Sequence, residues 1–174
     1  MSMKVLSSHH PLWLAGFRPF FVLALFFGLL MPALWGLVFS ARLNLPTGMS
    51  PLQWHAHEMF FGFGGAVLIG FLLTASKNWV KVRGIHGRGL MCLVGFYVFE
   101  RLFIYFASDV APVLRHVGMS LFFAVSGLYV IGTLLKYRKN DSFSDNYFFV
   151  ILLSLILLAK NLLLSDLTIR TESL

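Results

Sequence analysis

The chain has 174 residues, of which 58% are hydrophobic and 12% are charged, and its formal net charge is +7. A typical soluble domain is about half apolar and about a quarter charged, so this composition excludes a soluble enzyme domain, a disordered chain and a disulfide scaffold. Basic residues lie in short segments between long apolar runs, which favours the lipid bilayer over nucleic acid as the partner.

Five apolar runs predict membrane-spanning helices. A helix needs about 20 apolar residues to cross the hydrocarbon, and backbone groups cannot remain unpaired in lipid. No run shows the alternating pattern of a barrel strand. The sequence therefore predicts an all-α polytopic transmembrane helix bundle. It forms a single domain over residues 1–174, with spans at about 20–39, 51–75, 89–107, 112–135 and 147–164.

Lysine and arginine are distributed unevenly between the predicted loops. The side of the N-terminus has Lys4, Arg18, Lys77, Lys81, Arg83, Arg88, Lys136, Arg138 and Lys139, and the other side has Arg42, Arg115 and Arg170. Because cytoplasmic loops carry an excess of these residues, we predict a cytoplasmic N-terminus. After five crossings, the C-terminus then lies outside.

The second span begins with a clear helix-start signal. Ser50 is the predicted N-cap, Pro51 the first helical residue, and Gln53 completes a capping box. The predicted helix runs to Ala75. Its first two turns carry a cluster of polar residues that lies at the outer interface in the predicted orientation.

His55, His57, Glu58 and Met59 form that cluster. Imidazole is the commonest metal ligand and a thioether suits haem or copper, so one interpretation is a metal or haem site. The alternative is that these side chains face headgroups and water. Positions i and i+2 point about 200° apart on a helix, so His55 and His57 are not expected to bind one ion together.

The two faces of this helix differ in the residues that come after the cluster. The face of His55, Glu58 and Met59 is expected to look into the bundle. It continues as Gly62, Ala66 and Gly70, a small-residue pattern that lets another helix approach closely. The face of His57 continues to Phe61, Gly64 and Gly65, where two glycines leave a slot for a flat ligand or for a neighbouring helix.

Charged residues inside later spans predict contacts between helices. Glu100 and Lys160 lie at similar depths, so they are expected to pair and to neutralise two costly charges. Arg101 is then left to meet a haem propionate, a substrate anion or Glu58. The alternative is a structural ion pair without a ligand. His116 lies near the start of the fourth span and is either a second haem ligand or a solvated histidine.

Several segments together resemble the NnrS family. They are residues 16–21 (GFRPFF), 54–59 (WHAHEM) with Phe61 and Gly62, and 70–75 (GFLLTA), with weaker similarity at Asn78, Trp79, Arg101, Asn146 and Asn161. The resemblance implies a bacterial inner-membrane protein with haem and copper that acts in the response to nitric oxide and nitrosative stress. It makes His55 and His57 the candidate metal ligands, which either serve different centres or include only one that binds metal, with Glu58 tuning the site and Arg101 meeting a haem propionate. Met59 and His116 are the further cofactor-binding candidates.

Members of this family are usually longer, so the chain resembles the N-terminal part of such a member. A histidine expected soon after Asn161 is absent. The sequence carries no flavin or nicotinamide motif, and it leaves open whether the protein is an enzyme. The alternative function is that of a metal-free membrane protein, either a transporter half or an assembly factor that dimerises through Gly62, Ala66 and Gly70. A homo-oligomer or a second membrane subunit is the candidate partner.

Overall fold

The computed structural model describes residues 7–44, 49–106, 110–140, 146 and 148–172, with the backbone alone at 140 and 165–172. These residues contain five long helices and no β-strand, which confirms the all-α prediction. The helices are α1 (Phe17–Phe39), α2 (Pro51–Trp79), α3 (Gly87–Phe103), α4 (Pro112–Lys136) and α5 (Phe148–Glu172). Single 3-10 turns lie at Pro11–Trp13 and Arg138–Asn140. Residues 107 and 147, at the ends of two predicted spans, lie outside the described residues.

The composition of the helices identifies a membrane bundle. Within the described residues, α1, α2 and α4 are each long and apolar enough to cross a bilayer, and Phe148–Leu164 of α5 is a shorter apolar helix. Large apolar side chains face outward, such as Leu29, which is 78% exposed, and Leu128, which is 70% exposed. A surface of this kind is stable against lipid and would be unstable in water.

The predicted capping box at the start of α2 is confirmed. The Ser50 hydroxyl accepts a hydrogen bond from the Gln53 backbone N–H at 3.3 Å, and the Gln53 side chain accepts one from the Ser50 N–H at 3.1 Å. The helix continues to Trp79, beyond the predicted end at Ala75. The Trp79 ring stacks on Phe149 of α5, with the ring centroids 5.0 Å apart, and this contact stabilises the additional turn.

The middle of α2 is not a regular α-helix. Glu58–Gly64 is π-helical, between the α-helical segments Pro51–His57 and Gly65–Trp79. A π-helix bonds i to i+5 and so places more residues in each turn. Residues four apart drift around the axis of a regular α-helix, and the π-helical segment offsets this drift. Four such residues are therefore all buried: Glu58, Gly62, Ala66 and Gly70.

The small-residue face of α2 packs within the chain. A Cβ added at Gly70 would lie 2.8 Å from Cβ of Phe20 on α1, and one added at Gly62 would lie 3.0 Å from the Arg101 guanidinium. The predicted close approach of a neighbouring helix is therefore found, with α1 as the neighbour. Because these glycines and Ala66 are buried by their own chain, this packing does not support a dimer through the same face.

Helices α2 and α4 form the centre of the bundle. α2 packs against α1 and α4, and α4 packs in turn against α3 and α5. The core between them is aromatic: the Tyr97 ring lies edge-on to Phe20 at 6.1 Å and to Phe122 at 5.1 Å. This arrangement brings the polar residues of α2, α3 and α5 to one place inside the bundle.

Candidate functional site

Five ionisable side chains meet inside the bundle. His57 and Glu58 come from α2, Glu100 and Arg101 from α3, and Lys160 from α5, and each side chain is at most 3% exposed. We call this set the buried charge network. Ionisable groups in a membrane interior are costly unless they are paired, so the pairing of each member determines what the network can do.

Arg101 is the centre of the buried charge network. Its Nη1 atom lies 3.0 Å from Oε1 of Glu58, and its Nη2 atom lies 2.5 Å from Oε1 of Glu100. Lys160 donates to the same Glu100 oxygen, so the predicted Glu100–Lys160 pair is confirmed. Of the three partners predicted for Arg101, the structure gives Glu58. Two carboxylates balance two cations, which makes their burial possible.

Further hydrogen bonds fix α3 against its neighbours. The second carboxylate oxygen of Glu100 accepts from the backbone N–H of Phe122 on α4 at 3.2 Å. The Tyr97 hydroxyl donates to the carbonyl of Gly62 in the π-helical segment, also at 3.2 Å. Both bonds involve backbone atoms in the middle of a helix, so the network holds three helices in a fixed register.

Aromatic rings enclose the cations of the network. The Lys160 ammonium lies 5.3 Å from the centroid of Phe61 and 5.1 Å from that of Phe123, and the Arg101 guanidinium lies 5.7 Å from Tyr97. At such distances the negative face of a ring attracts a cation. The rings therefore exclude water and partly replace it as the partner of each charge.

His57 has one ring nitrogen with a partner and one without. Its Nδ1 atom lies 3.1 Å from Oε1 of Glu58, whereas its Nε2 atom is buried with no hydrogen-bond partner. A carboxylate can only accept, so Nδ1 carries the proton and Nε2 presents its lone pair. Metal-binding histidines commonly have this arrangement, in which a carboxylate orients the ring through the other nitrogen.

His55 and Met59 lie outside the buried charge network. The His55 ring stacks on Trp35 of α1, with centroids 4.4 Å apart, and its Nδ1 atom is also buried without a hydrogen-bond partner. Met59 packs against a second apolar cluster that includes Met31 and Trp54. Each is partly buried, and His57, which lies between them in the chain, is the more enclosed histidine.

His116 is placed elsewhere. It lies in the first turns of α4, where its Nδ1 atom bonds the carbonyl of Pro112 at 2.8 Å. Across the described parts of the chain, no group of three or more His, Cys, Asp or Glu side chains converges as a metal site. The described residues therefore do not form a metal site from such side chains alone. Each histidine is instead a single candidate ligand.

An apolar cavity lies next to the network. It has a volume of about 590 Å³, lies between α2, α4 and α5, and includes Gly64 and Gly65, the two glycines of the predicted slot. Phe61 lines the cavity, and its ring centroid lies 5.3 Å from that of His57. Cavities of roughly 300–1,000 Å³ with apolar linings commonly bind small molecules and cofactors.

Sequence reasoning missed two features of this site. The Tyr97 hydroxyl bonds the carbonyl of Gly62 within the π-helical segment, and no residue pattern had indicated that segment. The helix-face pattern grouped Glu58 with His55, whereas the structure pairs Glu58 with His57, its neighbour in the chain.

Comparison with known proteins gives one match. The family model described as NnrS protein matches residues 11–173. No curated protein and no solved structure matches the chain.

Proposed function

The chain belongs to the NnrS family, and from this membership we propose that it binds haem in the bacterial inner membrane and acts in the response to nitric oxide and nitrosative stress. The family match covers residues 11–173, a range that contains all five long helices of the described chain. The apolar helices supply the membrane location.

The observation that carries the proposal is the state of His57. Its Nε2 atom is buried and has no hydrogen-bond partner, and Glu58 holds the proton on Nδ1. A buried polar atom without a partner costs about 1–3 kcal/mol, and coordination to iron would remove that cost. His57 is therefore the residue that would hold the haem iron through Nε2, and the cavity beside Phe61 could accept part of an apolar macrocycle.

When bound, haem would supply an iron atom that could coordinate nitric oxide. The residues of the chain orient and enclose His57, the side chain that would hold the iron. Glu58 keeps the His57 ring in one tautomer, and Arg101 fixes Glu58 through the 3.0 Å ion pair. Because both Nη atoms of Arg101 already bond carboxylates, we assign Arg101 to this support and not to a haem propionate.

Copper is the second metal in the proposal. His55 and Met59 lie one helical turn apart on α2, and Met59 packs in the cluster that contains Met31 and Met119. Imidazole and thioether are ligands that copper accepts. We therefore propose His55 and Met59 for copper and His57 for haem, which agrees with the different surroundings of the two histidines.

The test is an absorption spectrum and a metal analysis of the purified protein and of single variants. We expect the wild type to show a Soret band and iron, and His57→Ala to lose both while it keeps its copper. His55→Ala should keep the iron and lose copper. His116→Ala tests the remaining candidate haem ligand, and His86→Ala, whose Nδ1 bonds the Gly84 carbonyl, is the matched control. Full iron content in folded His57→Ala would contradict the proposal.

The buried charge network favours a second candidate function, that of a metal-free transporter half. Charges near the middle of a bundle mark ion pathways in transporters. A colourless, metal-free preparation with native helix content would support it, provided that vesicles containing the protein show a proton or ion flux that Glu100→Gln abolishes. A Soret band in the wild type and no flux would exclude this candidate.

A further inference from the structure

A second cavity lies far from the buried charge network, at the end of the bundle where α4 terminates. It has a volume of about 400 Å³ and lies between the α2–α3 connection and the last two turns of α4. Its polar lining consists of Arg83, Tyr129, Thr133, Lys136 and Tyr137. Lys136 and Phe122, which touches the network, are 14 positions apart on α4, or about 21 Å at 1.5 Å per residue.

The chemistry of this cavity suits an anion. Arg83 and Lys136 are both exposed and both line it, and its lining in the described part of the chain includes no Asp or Glu. The Lys136 ammonium lies 5.3 Å from the Tyr137 ring, which holds it at the cavity wall. Guanidinium and ammonium groups with nearby phenols are a typical donor set for phosphate.

The other side of the cavity is apolar. Leu128, which is 70% exposed, lines it eight positions before Lys136, about 12 Å towards the middle of the bundle. A ligand that occupies the whole cavity therefore has a charged part at the end of α4 and an apolar part along the helix. A membrane lipid has this shape, whereas a free phosphate ion would leave Leu128 uncovered.

We propose that this cavity binds the headgroup of an anionic phospholipid, with the phosphodiester between Arg83 and Lys136 and an acyl chain along Leu128. Basic pockets between helices on the cytoplasmic side are typical sites for anionic headgroups. Lys136 ends a helix long enough to span the bilayer, which places the pocket at headgroup level. The proposal is independent of haem binding.

The experiment measures the binding of phosphatidylglycerol to the full chain in a neutral detergent by native mass spectrometry. The variant Arg83→Gln/Lys136→Gln removes both cavity cations. Its matched control is Arg88→Gln/Lys139→Gln, which removes two exposed cations outside the cavity. At about fivefold per basic residue, we expect the cavity variant to bind phosphatidylglycerol about 25-fold more weakly and the control to bind it like the wild type.

A pair of glycine variants tests the cavity without a change of charge. A side chain added at Gly132 points into open space beside the cavity, and one added at Gly36 on α1 also meets nothing. We expect Gly132→Trp to fill the cavity and reduce lipid binding, and Gly36→Trp to leave it unchanged.

Four results would overturn the proposal. Equal losses in the two charge variants would indicate attraction by surface charge alone. Equal binding of phosphatidylcholine would remove the need for an anion. Competition by inorganic phosphate at the concentration of the lipid would identify a free phosphate site. Native lipid binding by Gly132→Trp would show that the cavity is not used, even if the charge variants fail to fold.

Discussion

Arg101 of α3 and Glu58 of α2 form a buried ion pair with 3.0 Å between Nη1 and Oε1, although 43 residues separate them in the sequence. The same Glu58 oxygen also receives the bond from His57, so one carboxylate atom links the cation to the imidazole. The orientation of His57 thus depends on a residue of another helix. The first two predictions rest on this relationship.

Replacement of Arg101 should destabilise the bundle strongly. Arg101→Gln leaves Glu58 without its cationic partner, and removal of one member of a buried pair typically costs about 3–5 kcal/mol. We expect a correspondingly lower stability in a denaturation series in detergent. Arg88→Gln, at an exposed site, should change stability little. The double variant Glu58→Gln/Arg101→Gln should recover part of the loss, because no carboxylate on α2 is then left unpaired, and additive losses would contradict this account.

Glu58→Gln should weaken the hold on the His57 cofactor without abolishing the fold. Glutamine can still accept from Nδ1, but it lacks the charge that fixes the ring and pairs with Arg101. Loss of such a carboxylate partner typically reduces metal affinity about 10–100-fold. We expect a lower iron occupancy and a shifted Soret band in Glu58→Gln, measured against His86→Ala, whose ring bonds the Gly84 carbonyl outside the network. This prediction rests on the proposed function, and identical spectra of wild type and Glu58→Gln would contradict it.

Alanine substitutions at Gly70 and Gly36 should distinguish a glycine that a close helix contact requires from one that has no such contact. A Cβ at Gly70 would lie 2.8 Å from Cβ of Phe20, and neither backbone can easily move. Gly70→Ala should therefore lower stability by about 1–3 kcal/mol, as overpacked cores do. Gly36→Ala meets open space and should be neutral or slightly stabilising through helix propensity. Thermal unfolding of both variants in detergent checks the contrast, and equal effects would argue against the tight α1–α2 contact.

The helical bundle could be predicted because local features of the sequence determine it. Apolar runs, the capping signal at Ser50 and the cost of isolated charges in lipid are all properties of short segments. The Glu100–Lys160 pair could be predicted from depth alone, since both residues lie near the middle of apolar runs and need partners. The fold class and this contact therefore required no knowledge of the packing.

The arrangement around His57 could not be predicted because it depends on the π-helical segment. In a regular α-helix, residues four apart such as Glu58, Gly62 and Ala66 would drift around the helix axis. The π-helical segment Glu58–Gly64 instead keeps them on one buried face. Contacts with α1 and α3 set this register, and those contacts cannot be predicted from the sequence of α2. His55 faces the bundle as expected, since its ring stacks on Trp35 of α1, but His57, which the pattern placed on the other face, is the more deeply buried histidine.

The orientation of the bundle gives the last prediction. Arg42 follows α1 at one end of the bundle, and Lys139 follows α4 at the other, and both side chains are exposed. In a Cys92→Ser background, a membrane-impermeant maleimide should label Arg42→Cys in intact cells, because the excess of basic residues places the opposite end in the cytoplasm. Lys139→Cys should react only after lysis. The reverse pattern would invert the bundle and place the headgroup cavity of Arg83 and Lys136 in the outer leaflet. Labelling of both sites in intact cells would mean that α1 and α4 do not end on opposite sides of the membrane.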